Sequence, residues 1–114
     1  MNSMAALQAT NELAVLEARA DEVARRLSLM ANAKRLLILC TLARGEASVT
    51  ALQQALDIGQ SALSQHLAKL RDGGVVATRR EAQTIFYRLA DAQTVSLMEA
   101  LYDTFCAGEG ASLP

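Results

Sequence analysis

The chain has 114 residues, 52% of them hydrophobic, with 11 Lys and Arg against 12 Asp and Glu and a formal net charge of −1. That length suits one compact domain with a thin core, so a second copy would help to bury apolar surface. No stretch approaches the roughly eighteen apolar residues of a bilayer span, and no basic segment leads into an apolar run near the start. A soluble, cytoplasmic protein with no membrane partner is expected. Cys40 and Cys106 are too few for the disulfide framework of a small secreted domain and do not form a CxxC pair, so both should be thiols in a reducing cytosol.

Residues 4 to 28 contain neither Gly nor Pro, and Leu13, Leu16, Ala20, Val23 and Leu27 recur at helical spacing, which predicts a first helix. Asn32 is a suitable N-cap for a second helix over residues 33 to 43, with Gly45 as its stop. The apolar run from Leu36 to Leu42 is too continuous for a surface helix and predicts that most of it is buried. Ser48 can cap a third helix through Leu56, with Leu52 and Leu56 on one face. Asp57, Ile58 and Gly59 then make a turn into a fourth helix over residues 60 to 72, ended by Gly73 and Gly74. Two short helices around a three-residue, glycine-containing turn match the helix-turn-helix pattern. Residues 75 to 80 and 84 to 89, rich in β-branched and aromatic side chains, predict a hairpin around Glu81, Ala82 and Gln83. A last helix is expected over residues 91 to 105, with Val95, Met98, Leu101, Tyr102 and Phe105 as its stripe. Only the two ends of the chain look frayed.

In the fourth helix, Leu63, Leu67 and Leu70 follow i, i+4, i+7 and must face a core. Gln60, Ser61, Ser64, Gln65, Ala68 and Lys69 then turn outward, as small or hydrogen-bonding groups that can approach base edges in a DNA groove. Gln suits adenine, Ser offers a hydroxyl to either strand, and Lys69 suits a phosphate or guanine. Arg79, Arg80 and Gln83 near the hairpin tip suit phosphates or a minor groove. A solvated helix face and ordinary strand charges are the plainer alternatives. The charge distribution favours the DNA reading. Residues 60 to 89 carry five cations and two acids, a net +3, whereas residues 91 to 114 carry four acids and no cation. His66, the one histidine, lies between the core stripe and the outer face, where a structural hydrogen bond is expected rather than metal ligation.

These segments resemble the ArsR family of small dimeric bacterial repressors. The resemblance runs from Asn32-Ala-Lys-Arg-Leu-Leu-Ile-Leu-Cys40 through Ser61-Ala-Leu-Ser-Gln-His-Leu67 to Arg79-Arg-Glu-Ala-Gln-Thr-Ile-Phe-Tyr-Arg-Leu89. Within the family, the second-helix and hairpin strings look like the persulfide-sensing branch, the BigR and SqrR type. That branch carries one cysteine in the second helix and one near the end of the last, here Cys40 and Cys106. The resemblance implies a mainly α, dimeric winged helix-turn-helix of order ααααββα, a single domain over residues 1–114. Residues 1–28 and 91–107 would be dimerisation helices, 48–72 the helix-turn-helix and 75–89 the wing. It also implies a repressor of double-stranded operator DNA that lets go when sulfane-sulfur donors, persulfides or polysulfides, modify the two thiols.

The chain departs from the metal-sensing branches of that family. Its third helix reads Val49-Thr-Ala-Leu-Gln-Gln-Ala-Leu56 without a Cys-x-Cys, and the last helix has Asp91 but no histidine. No metal or other cofactor is therefore expected. Two alternatives remain: a disulfide-forming oxidant sensor, and a winged protein-interaction module in which Cys40 is a small hydrophobe and Cys106 an idle tail thiol. An enzyme is not expected, because no nucleophile with a base, phosphate-cradling glycine loop or paired-carboxylate motif is present.

Overall fold

The computed structural model describes residues 3–108, with side chains from residue 11 onward. The ends expected to fray, and Glu109 with them, lie outside the described residues. The elements run α1 (Ser3–Met30), α2 (Ala33–Leu42), β1 (Ala47–Ser48), α3 (Val49–Ala55), α4 (Gln60–Asp72), β2 (Val76–Glu81), β3 (Thr84–Leu89) and α5 (Ala92–Phe105). The expected winged helix-turn-helix is present, with one addition. β1 pairs antiparallel with β3, giving a three-stranded sheet of order β1-β3-β2. Two residues have too little pattern to be read as a strand, and pairing with a distant partner is what makes β1 one.

The helix starts follow the capping chemistry of the sequence. Asn32 accepts from the Arg35 backbone N–H at 3.1 Å, and the Ser48 hydroxyl accepts from the Ala51 N–H at 3.1 Å. Asp91, expected as the first residue of the last helix, is instead its N-cap and accepts from the Thr94 N–H at 2.8 Å. α4 begins after Gly59, which supplies no side-chain cap, and ends at Gly73. Gly73 leaves room for a close approach by Leu29. A Cβ there would meet Leu29 Cδ1 at 2.2 Å, and its carbonyl accepts a hydrogen bond from Arg25 Nη1. The end of α1 is thereby seated on the end of α4.

Ile38 and Leu39 of α2, Leu52 of α3, Leu63, Leu67 and Leu70 of α4, Val75 and Met98 of α5 are fully buried. Each such side chain contributes roughly 1.5–3 kcal/mol of burial. The apolar run of α2 is less buried than expected. Ile38, Leu39 and Leu42 are in the core, but Leu37 is exposed and Leu36 and Cys40 are half-buried. A helix packed on one side turns every third or fourth residue away from its neighbours, however apolar the run. In the hairpin, Val76, Thr78 and Arg80 pair with Leu89, Tyr87 and Ile85 on one face, and Ala77, Arg79 and Glu81 pair with Arg88, Phe86 and Thr84 on the other. The turn is two residues long, and Ala82 adopts φ 56°, a left-handed conformation more usual for glycine.

Candidate nucleic-acid interface and thiol pair

α4 has the two faces its spacing requires. Its three leucines are sealed inside, while Gln60, Ser61, Ser64, Gln65, Ala68 and Lys69 are exposed. None of the polar side chains in that outer row has a hydrogen-bond partner among the described residues. Such a row has its donors and acceptors free for a ligand. Buried Ile58 anchors the turn that presents the start of the helix, and Lys69 and Arg71 complement the negative end of its dipole. His66 is half-buried on the flank of α4, but the hydrogen bond expected for it is absent among the described residues.

The two wing arginines differ. Arg80 is exposed, with no partner among the described residues, and Gln83 is exposed at the turn. Arg79 is held by carboxylates. Its Nε and Nη2 both donate to Glu46, in the loop before β1, and Nη1 donates to Glu81 at 2.7 Å. The guanidinium also lies 4.6 Å from the centroid of the Phe86 ring, within cation–π range. The hydrogen bonds from Arg79 hold the Glu46 carboxyl below its ordinary range, helped by the charges of Arg79 and Arg88. Glu46 carried no local signal in the sequence, since it stands 33 residues from the arginine it binds.

Cys40 and Cys106 lie at the packing of α2 against α5. Cys40 is half-buried and lines a cleft of about 630 Å³ together with Leu37, Arg44, Met98, Glu99, Tyr102 and Asp103. Cys106 is exposed at the C-terminal end of α5, where its backbone N–H donates to the Tyr102 carbonyl at 2.8 Å. Burial pushes the Cys40 thiol above its ordinary pKa, and the nearby Cys106 adds to the rise. Among the described residues no cluster of three or more His, Cys, Asp or Glu could hold a metal ion.

Beside the start of α5, the long α1 borders an open groove of about 730 Å³ lined by Val15, Leu16, Val23, Leu27, Met30 and Leu97. Arg26 of α1 closes one side of it. Its two terminal nitrogens donate to Asp91 at 3.1 and 3.4 Å and to the buried Thr94 hydroxyl at 3.2 Å. The Thr94 N–H, Arg26 and the Thr94 hydroxyl together bring the Asp91 carboxyl down to about 2. Sequence reasoning missed Arg26 too. An arginine on a long charged helix looks solvated until its distant acceptor is placed.

Residues 32–78 match the family described as bacterial regulatory protein, arsR family. The Biofilm growth-associated repressor of Agrobacterium fabrum is 54% identical over 97 residues, covering 85% of this chain and 83% of the relative. The chain belongs to the ArsR family. The crystal structure of the repressor BigR from Xylella fastidiosa is similar with a TM-score of 0.76 at 49% identity, over 81% of this chain and 94% of that one. A homodimeric winged helix-turn-helix DNA-binding domain from Mycobacterium bovis aligns with a TM-score of 0.70 at 35% identity, over 77% and 82% of the two chains. In this ArsR-family chain the match spans α2 to the middle of β2. The thiol of α5 and the groove beside α1 lie outside the matched family segment.

Proposed function

We propose that this ArsR-family protein is a transcriptional repressor that grips a palindromic operator as a homodimer and releases it when sulfane sulfur bridges Cys40 and Cys106. The observation that carries the DNA reading is the unpartnered row of Gln60, Ser61, Ser64, Gln65 and Lys69 on a helix whose opposite side is locked into the core. Side chains on a rigid helix can read base edges in the major groove, and Arg80 and Gln83 on the wing reach the flanking backbone. The repressor names of the relatives and the homodimeric form of the Mycobacterium bovis domain support the same reading. In a homodimer, the apolar faces of α1 and α5 meet their copies, and two recognition helices address two half-sites.

The sensing half rests on one exposed and one half-buried thiol at the α2 and α5 contact. The exposed Cys106 reacts first, because sulfur exchange needs an accessible thiolate. With an organic trisulfide, its thiolate attacks the central sulfur and expels one organic thiolate. The Cys40 thiolate then attacks that same sulfur and expels the second. The product is a Cys40–S–S–S–Cys106 bridge, and two organic thiols leave with the two cysteine protons. An inserted sulfur lets the bridge span a wider gap than a disulfide, which needs Cα atoms within roughly 7 Å. The bridge ties α5 to α2. It releases DNA to the extent that the bound conformation disfavours that tie.

The test compares wild type, Cys40→Ser and Cys106→Ser, each with and without a polysulfide donor, by intact mass and by affinity for promoter DNA. Wild type should gain about 32 Da per inserted sulfur, less two hydrogens, and lose operator affinity, while both single variants keep it. A single variant that releases DNA as wild type does would remove the two-thiol switch. A direct disulfide after peroxide treatment, with equal release, would make the protein an oxidant sensor instead.

A further inference from the structure

The wing carries its anion with it. Arg79 sits where a winged domain meets the DNA backbone, yet both nitrogens of its Nε–Nη2 edge are occupied by Glu46 and its Nη1 by Glu81. That edge is the one a guanidinium uses to grip a phosphate with two parallel hydrogen bonds. Two carboxylates on one guanidinium, with Arg88 nearby to offset the excess acid, leave this cluster no net positive charge to offer a phosphate. The Phe86 ring lies against the same guanidinium, 4.6 Å from centroid to Cζ.

We propose that Glu46 is an internal stand-in for a DNA phosphate, holding Arg79 in reserve and so restraining the protein's affinity for DNA. The inference rests on the DNA-binding reading above. When the wing reaches the backbone, a phosphate must displace the Glu46 carboxylate from Arg79. The gain from that contact is then the difference between two similar ion pairs rather than the whole of one. Arg80, which has no carboxylate partner among the described residues, contributes its phosphate contact in full. The restraint acts on DNA of every sequence. It lowers residence on random DNA and leaves selection between sequences to the face of α4.

The experiment measures binding of the full chain to a fluorescein-labelled duplex of mixed sequence across a sodium chloride series. It uses wild type, Glu46→Gln, Arg79→Gln and the double variant. Freeing Arg79 in Glu46→Gln should tighten binding roughly three- to tenfold at low salt and steepen the salt dependence by about one counterion. The same change made in the Arg79→Gln background should gain much less. Equal gains in both backgrounds would mean only that a negative charge was removed, and would overturn the proposal. Weaker or unchanged binding by Glu46→Gln would overturn it as well, making the ion pair a brace for the wing. Failure of wild type to bind any duplex at low salt would overturn the DNA-binding reading itself, and this inference with it.

Discussion

Leucine is used in opposite ways at the centre and at the start of this molecule. In α4, Leu63, Leu67 and Leu70 are 0, 1 and 0% exposed, whereas along α1 Leu13, Leu16 and Leu27 are 62, 53 and 48% exposed. Both sets follow helical spacing, and both are too apolar for a solvent face. The difference lies in what is available to cover them. α4 packs on α2, α3 and β2, while α1 extends past the rest of the chain and contacts chiefly α2. A periodic stripe therefore marks a surface to be buried without saying whether the same chain buries it.

The most severe way to break that contrast is to remove α1. Deleting residues 1 to 28 should yield monomers or aggregates in sedimentation and abolish high-affinity operator binding, because one recognition helix cannot hold two half-sites. A monomeric, fully active truncation would show that α1 is dispensable. On the sealed side, Leu67→Ala leaves a cavity that its neighbours fill only in part. Denaturant unfolding should show a loss of about 2–5 kcal/mol. Leu16→Ala should cost an isolated protomer far less, and its effect should appear in the dimer dissociation constant.

A sharper test of the outer face of α4 is Gln65→Ala or Ser64→Ala. Each should reduce the preference for operator over unrelated DNA by roughly 1–3 kcal/mol while leaving the fold intact. Equal loss on both DNAs would show that these side chains do not read bases. The smallest effect concerns the link between α1 and α5. Asp91 has a folded pKa below its unfolded value, so its stabilisation is complete above roughly pH 4 and fades as pH falls towards 2. Because the carboxylate is partly exposed, solvent screening limits this to about 1 kcal/mol. Arg26→Gln should lose part of that stability at neutral pH and converge with wild type as pH falls towards 2, so its acid-dependent loss is smaller in denaturant unfolding across pH.

Much of the fold was legible because it is written in local chemistry. Asn32 and Ser48 offer side-chain acceptors to backbone N–H groups, and Gly73 ends a helix that Leu63, Leu67 and Leu70 orient. The outer row of α4 follows from the same leucines, since fixing one side of a helix fixes the other. Nothing local in the sequence separated Arg79 from Arg80, although neighbours on a strand point to opposite faces and meet different partners. β1 and Glu46 were missed for one reason. Each acquires its role from a partner about 40 or 33 residues away, and nothing in the intervening chain announces it.

The sequence by itself determined the helices, the hairpin, the leucine stripe and the polar row opposite it, since capping, periodicity and turn chemistry act within a few residues. Only the tertiary structure decided which apolar stripes are covered, which wing arginine is held by carboxylates and which thiol is shielded. Those depend on the packing of α5 against α2, of α1 against the end of α4 and of the Glu46 loop against the wing. Burial and ion pairing are set by distance in space, and a chain that folds back on itself makes that distance independent of separation along the sequence.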